Sequence, residues 1–199
     1  MFSALLRAKL DGIYELSPVQ LARLEQHYEI LTRWNRVLNL TSLRTVEEAV
    51  ERHYCESVFA ALQLPESRIS VADIGSGGGF PGIPIAIVRP ECAMTLIESH
   101  QRKAAFLKES VRQLGNVRIL ARRAEDVYEQ FDWVVSRAVK YAEIHQILAR
   151  MAPNVELLSG ELEEVDLSGL AWEAPIRLPW GDRRFVWIGH AHVSRETPT

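Results

Sequence analysis

Leu21, Leu24, Tyr28, Leu31, Trp34 and Leu38 recur every three or four residues and draw one apolar stripe along a helix. Ser17-Pro18 supplies its start, a hydroxyl to cap free backbone N–H groups followed by a ring whose missing N–H costs nothing in a first turn. A second helix is predicted from Thr45, where Thr45-x-x-Glu48 spells a capping box, to about Leu64-Pro65. Val46, Val50 and Ala60 would share its apolar face, and the polar turn Asn39-Leu40-Thr41-Ser42 separates the two helices. Residues 1–65 therefore read as a helical cap.

At Ile69 the period changes. The run ISVADI, residues 69–74, is apolar, short, and ends in an acid and a glycine cluster, as a buried strand would. A helix over 82–88 and a strand over 94–98 are predicted next. A helix over 101–114 follows, with Ala104, Leu107, Val111 and Leu114 on one face and Gly115-Asn116 as its stop. Strands are predicted over 117–121 and 131–136, and a helix over 141–151. Strands and helices alternating at this length make βαβ units and a parallel sheet. The tail differs: residues 175–180, the turn Gly181-Asp182 and residues 183–193 read as an antiparallel hairpin. Residues 66–199 are thus expected to form an α/β, Rossmann-like domain, integrated with the cap into one globular unit.

Composition narrows the classes. No apolar stretch approaches the roughly 20 residues of a membrane span, and the start MFSALLRAKLDG has no cleavage site, so a cytoplasmic protein without membrane contact is expected. Cys55 and Cys92 lie far apart without metal-ligand spacing, so neither a metal site nor a disulfide framework is expected. A net charge of −3 weighs against non-specific nucleic-acid binding through bulk charge, confines any RNA contact to a local patch and leaves a selective enzyme open. Oligomeric state is not legible, and a monomer is the default.

The chemistry centres on Asp73-Ile-Gly75-Ser-Gly77-Gly-Gly79, placed after a strand and before a helix. Glycines there let the backbone turn and approach a ligand at the carboxyl edge of the sheet. Glu98 ends the next strand 19 residues beyond Gly79, where a carboxylate can accept from two ribose hydroxyls. Gly77 to Gly82 also spells GxGxxG, which alone would point to a dinucleotide. Asp73 before the first glycine, able to meet the methionine end, and the C-terminal hairpin favour S-adenosylmethionine instead. Ala124 and Glu125 follow the strand over 117–121, where a backbone N–H and an acid suit an adenine ring, or where the acid simply starts a helix.

NLTS (39–42), RHYCES (52–57), DIGSGGGFPGIPIAIVRP (73–90), SHQRKAAFL (99–107), RRAED (122–126) and SRAV (136–139) follow one another in an order that resembles the RsmG (GidB) methyltransferases. The likeness runs from about residue 30 to 140. It implies a class I fold, S-adenosylmethionine as cofactor, and methyl transfer to N7 of a guanine in 16S ribosomal RNA of the small subunit. Ser159 stands where the family usually carries a lysine, and Arg102-Lys103 reverses its usual Lys-Arg order.

Guanine N7 has an in-plane lone pair and no proton to lose, so alignment rather than a general base is the requirement. Arg137, just past the strand over 131–136, is the expected catalytic contact, holding guanine O6 or a phosphate beside the cofactor. Arg102, Arg123 and Arg183 are candidate RNA contacts, or solvated charges. Asn39 and Thr41 could close over cofactor or base. His53 is either an RNA contact or a satisfied core histidine, and Phe80 either a packing wedge or a stacking surface. The rivals are a methyltransferase of another substrate, a catalytically weak rRNA-binding assembly factor and a nicotinamide enzyme.

Overall fold

Both predicted helix starts are capped: the capping box expected at Thr45 is formed, and the Ser17 cap proves to be a capping box as well. Ser17 Oγ accepts from Gln20 N–H at 3.2 Å while the Gln20 side chain accepts from Ser17 N–H, opening α2 (Pro18–Asn35). Thr45 and Glu48 make the same reciprocal pair at the start of α3 (Val46–Ala49). Ahead of both lies α1 (Phe2–Leu10), which buries Phe2, Leu6 and Leu10 against the later cap helices. The computed structural model describes residues 1–42, 45–137, 141–162 and 169–191. Ala138 and Val139 of the SRAV motif, and the last two residues of the predicted hairpin, lie outside these.

The second predicted helix departs from its pattern in the middle. After α3 the chain widens into a π-helical turn, Val50–Cys55, before resuming as α4 (Glu56–Ala61). The wider turn shifts the buried face, so that Tyr54 through Val58 are all buried in succession. No 3.6-residue stripe predicts that run. Such turns recur at functional sites because they re-aim side chains without ending the helix, and here the re-aimed residues are His53 and Glu56.

The α/β half follows the prediction closely as far as residue 151, and the strand after it adds to the prediction. Its elements are β1 (Ser70–Ile74), α5 (Gly82–Val88), β2 (Ala93–Ile97), α6 (Gln101–Ser110), β3 (Val117–Leu120), β4 (Trp133–Arg137), α7 (Tyr141–Met151) and β5 (Asn154–Ser159). Two short strands, β6 (Leu170–Trp172) and β7 (Ile176–Arg177), and the longer β8 (Phe185–Ala191) complete it. The strand order is β3-β2-β1-β4-β5-β8-β6, with β1 to β5 parallel and β8 antiparallel to β5. The order reverses between β1 and β4, which opens a crevice at their carboxyl ends.

The tail differs from a simple hairpin. Only Ile176 and Arg177 pair with the start of β8, because Pro175 and Pro179 bracket them and lack the N–H a longer ladder needs. The far half of β8 pairs instead with β6, through Leu170↔Ala191 and Trp172↔Gly189. Gly189 is glycine because a Cβ there would sit 2.9 Å from the Trp172 ring.

Cap and sheet share one apolar core. Leu24, Leu31, Tyr54 and Val58 of the cap pack with Ile83, Leu96 and Phe106 of the α/β half, and each large side chain so buried contributes about 1.5–3 kcal/mol. A second cluster under α7 joins Ile74, Ile97, Val134, Leu148 and Val155. Both cysteines are buried and free, and burial raises the Cys55 thiol to about 12. Among the described residues no helix is long and apolar enough to cross a membrane.

One core position is costly. Glu156 on β5 is fully buried, and neither carboxylate oxygen has a hydrogen-bond partner. Burial alone pushes its carboxyl well above the ordinary glutamate value. A folded-state acid with a raised pKa favours the fold below its unfolded value and loses that contribution as pH rises. Glu156→Met is therefore expected to raise the urea midpoint, by a margin that grows from roughly pH 5 to roughly pH 8. A margin independent of pH would show that Glu156 is not carried in its protonated form.

Candidate active site

The glycine loop is shaped by hydrogen bonds that leave its inner face open. Gly75 and Ser76 N–H both donate to Ile97 O, at 3.0 and 3.2 Å, which ties the loop to the end of β2. Gly75, Gly77 and Gly79 have φ of 72°, 51° and 86°, a region that side-chain-bearing residues rarely adopt. At Gly82 the reason for glycine is contact: a Cβ would lie 2.6 Å from Asp73 Oδ2 and inside the Leu96 side chain.

Asp73 is fully buried and accepts from Gly82 N–H at 3.0 Å, locking strand to helix across the loop. Its Oδ1 has no partner, and burial raises the carboxyl to about 7. Glu98, 7% exposed, accepts from Gly77 N–H at 3.0 Å through Oε2 and from His100 N–H at 2.7 Å through Oε1. A carboxylate offers about four acceptor positions, so two remain for hydroxyl groups of a ligand.

Two clefts meet at Gly75. One, of about 170 Å³, is lined by Glu98, Arg122, Arg123, Ala124 and Glu125, with Ile74, Ile97, Ile144 and Ile147 as apolar walls. Acid groups at one end and isoleucines along the sides suit a ribose and a flat base. Arg150 of α7 holds its rim by donating to the carbonyls of Ala124 and Glu125, at 3.3 and 3.2 Å, which no sequence pattern announces. The other cleft, of about 360 Å³, is lined by Thr41, Ser42, Arg52, His53, Phe80, Arg137 and Arg184 beside Gly75–Gly78. A larger cavity of about 760 Å³ is lined wholly within residues 7–18, away from the glycine loop.

In the second cleft the polar side chains form one chain of contacts. His53 Nε2 lies 2.6 Å from Thr41 Oγ1, and its Nδ1 faces an Arg137 guanidinium N–H. Arginine can only donate, so Nδ1 accepts, and the single proton of the neutral ring sits on Nε2. Burial, then the Arg137 charge, hold the imidazole far below its ordinary pKa, so it stays neutral. The ring stacks on Phe80 at 4.3 Å between centroids, and Phe80 also meets His27 and Tyr54 edge-on. Phe80 is 7% exposed, the position of a packing wedge.

Behind the cleft, Glu56 is fully buried and pairs with Arg137 at 3.3 Å and Arg184 at 2.7 Å. Burial pushes its carboxyl upward, and the two guanidiniums pull it back. Burial likewise lowers Arg137, to about 10, so it remains charged at neutral pH.

The remaining sequence candidates scatter. Arg123 lines the smaller cleft, whereas Arg102 is exposed on α6 and Asn39 is exposed beside the larger cleft, and neither lines a cleft. Arg183 is 77% exposed and pairs with Glu161, also outside both clefts. Ser159 closes β5 at its partner Phe185. Asn35, not singled out by the sequence, organises the turn: its Oδ1 accepts from Leu40 and Thr41 N–H, at 2.9 and 3.0 Å, and its Nδ2 donates to Thr41 O. Glu56 and Arg184 were also missed; only the topology brings them to Arg137.

A glycine-loop crevice at the switch point, an acid ending β2 and an antiparallel β8 define a class I S-adenosylmethionine-dependent methyltransferase. Solved structures share the fold. One is magnesium protoporphyrin IX methyltransferase from Synechocystis with bound S-adenosylmethionine (TM-score 0.60, 13% identity, 89% of this chain and 99% of that one). Another is a SAM-dependent methyltransferase from Aquifex aeolicus (TM-score 0.56, 15% identity, 72% and 92%). The family model described as rRNA small subunit methyltransferase G, GidB, matches residues 20–164, and the chain belongs to that family. Ribosomal RNA small subunit methyltransferase G of Nitrosomonas europaea is 37% identical over 76% of this chain and 75% of its own. That of Aquifex aeolicus is 38% identical over 70% and 74%.

The residues present fit S-adenosylmethionine: Glu98 keeps acceptor capacity for ribose hydroxyls, and the isoleucine-walled cleft beside it suits adenine. Glu98→Ala removes those acceptors and also frees Gly77 and His100. The Kd for S-adenosylmethionine, read by calorimetry, is expected to rise roughly 10- to 100-fold, as for one or two lost charge-assisted hydrogen bonds. An unchanged Kd would place the ribose elsewhere.

Proposed function

We propose that this protein transfers a methyl group from S-adenosylmethionine to N7 of one guanine in 16S ribosomal RNA of the small ribosomal subunit. Its membership of the methyltransferase G family supports the ribosomal substrate. The observation that carries the N7 assignment is the state of the arginine-lined cleft, where the imidazole has both nitrogens engaged and is held neutral. No base is poised there to remove a proton, among the described residues, and N7 has none to give. A hydroxyl or carbon acceptor would need one.

When bound, the cofactor supplies an electrophilic methyl group on a sulfonium. The protein's work is then placement, which in well-aligned cases is worth up to about 7–11 kcal/mol. Glu98, Ala124 and Glu125 would hold the nucleoside, with Arg123 at the rim. The glycine loop would bring the methyl to Gly75, and Arg137 would present guanidinium N–H groups to guanine O6 or an adjoining phosphate. Thr41 and His53 fix Arg137 from one side and Glu56 from the other. A ribosomal-RNA substrate would support a cytoplasmic location, and nothing in the proposed chemistry requires more than a monomer.

Labelled S-adenosylmethionine with unmethylated small subunits tests this, the modified base being mapped by N7-specific cleavage. Wild type is expected to label one guanine, and Arg137→Ala to lose most of that activity while keeping cofactor binding. Gly77→Asp is expected to lose both, because an acid at a positive-φ position beside Glu98 adds strain and like-charge repulsion. Label on any other atom or molecule would refute the N7 assignment.

A further inference from the structure

The two clefts that meet at Gly75 differ in charge. Among the described residues, the smaller is lined by two acids and two arginines, whereas the larger is lined by Arg52, Arg137 and Arg184 and by no acid. Glu56 behind the larger cleft cancels one of the three guanidinium charges, and His53 is neutral. Two positive charges are left over in about 360 Å³, in a chain whose net charge is −3. Such a local excess is unfavourable unless an anion completes it.

The geometry of the three arginines separates their roles. Arg137 is nearly enclosed and committed to His53 and Glu56. Arg184 is one-third exposed; one terminal nitrogen holds Glu56, while its Nε is buried without a partner. Arg52 is exposed at the rim and has no hydrogen bond or ion pair among the described residues.

S-adenosylmethionine, with a single carboxylate, cannot cancel both surplus charges. Its ammonium and sulfonium outnumber its carboxylate, so as a whole it is a cation. A polyanion can. We propose that Arg184 and Arg52 form a subsite for a backbone phosphodiester next to the target nucleotide, with Glu56 as the residue that positions Arg184. This rests on the ribosomal-RNA reading above and adds to it the residues that grip the backbone. Phosphate contacts set register without reading sequence, so the subsite would seat the RNA while Arg137 faces the base.

The test is RNA affinity against salt. Each phosphate contact adds about 0.7–0.9 to the slope of log K against log [salt]. Arg52→Gln and Arg184→Gln are each expected to lower that slope by about one for unmethylated small-subunit RNA, and to raise KM for RNA several-fold. Arg184→Lys is expected to recover most of the slope, and Arg177→Gln, outside the cleft, to keep all of it. The Kd for S-adenosylmethionine should be unchanged in every variant. Arg52→Gln keeps the test clear should Arg184→Gln fold poorly, because Arg52 is exposed and its side chain makes no hydrogen bond or ion pair among the described residues. Unchanged slopes in both variants, with wild type active on RNA, would overturn the subsite. Weaker cofactor binding at an unchanged slope would overturn it too, by assigning the arginines to the methionine carboxylate. A wild type that methylates no RNA would instead defeat the underlying functional reading.

Discussion

A single buried carboxylate, Glu56, holds the larger cleft together. It is enclosed by protein and balanced by guanidiniums from two different strands, Arg137 at the end of β4 and Arg184 at the entry to β8. Removing either arginine would strand part of its charge in the interior, where an uncompensated ion costs several kcal/mol. The carboxylate itself belongs to the cap. It therefore welds the cap to the strand ends across which any cofactor and substrate must meet, and Arg137 in turn pins His53, Thr41 and the stacked Phe80.

The consequence is a division of labour on either side of Gly75. Toward β2 and β3 the walls are isoleucines, and Glu98 and Glu125, which can accept hydrogen bonds from hydroxyls, are balanced by Arg122 and Arg123. Toward the cap the polar groups are arginines and a neutral imidazole, a lining that donates. The same glycine loop serves both, because its positive-φ residues keep side chains out of the junction. Asp73 reinforces it from beneath, gripping Gly82 N–H where no larger residue would fit. On the proposed reading, cofactor and RNA would occupy parts of one crevice that differ in charge.

Much of this was legible in the chain. The stripes, capping boxes and glycine loop announce local structure because each depends on neighbours in sequence, and α2, α3, β1 and α5 follow directly from them. Glu98 was legible because the end of the second strand is a fixed place in this fold. The rest depends on residues far apart. Asn35 is one helical residue among many until the turn folds back onto it. Glu56 and Arg184 are 128 residues apart and meet only once β8 inserts beside β5. The π-helical turn that aims His53 and Glu56 breaks the period on which helical reading relies. Arg183 and Arg184 are adjacent and chemically alike, and only the register of β8 turns one to Glu161 and the other into the cleft.

The most direct measurement is a crystal structure with S-adenosylhomocysteine and a short RNA carrying an unpaired guanosine. The expected result has the adenosine between Glu98 and Glu125, the sulfur at Gly75 and guanine N7 facing it from the Arg137 side, with a phosphate at Arg184. An adenosine in the arginine-lined cleft, or a guanine bound away from Gly75, would contradict the division of the crevice on which the functional account depends.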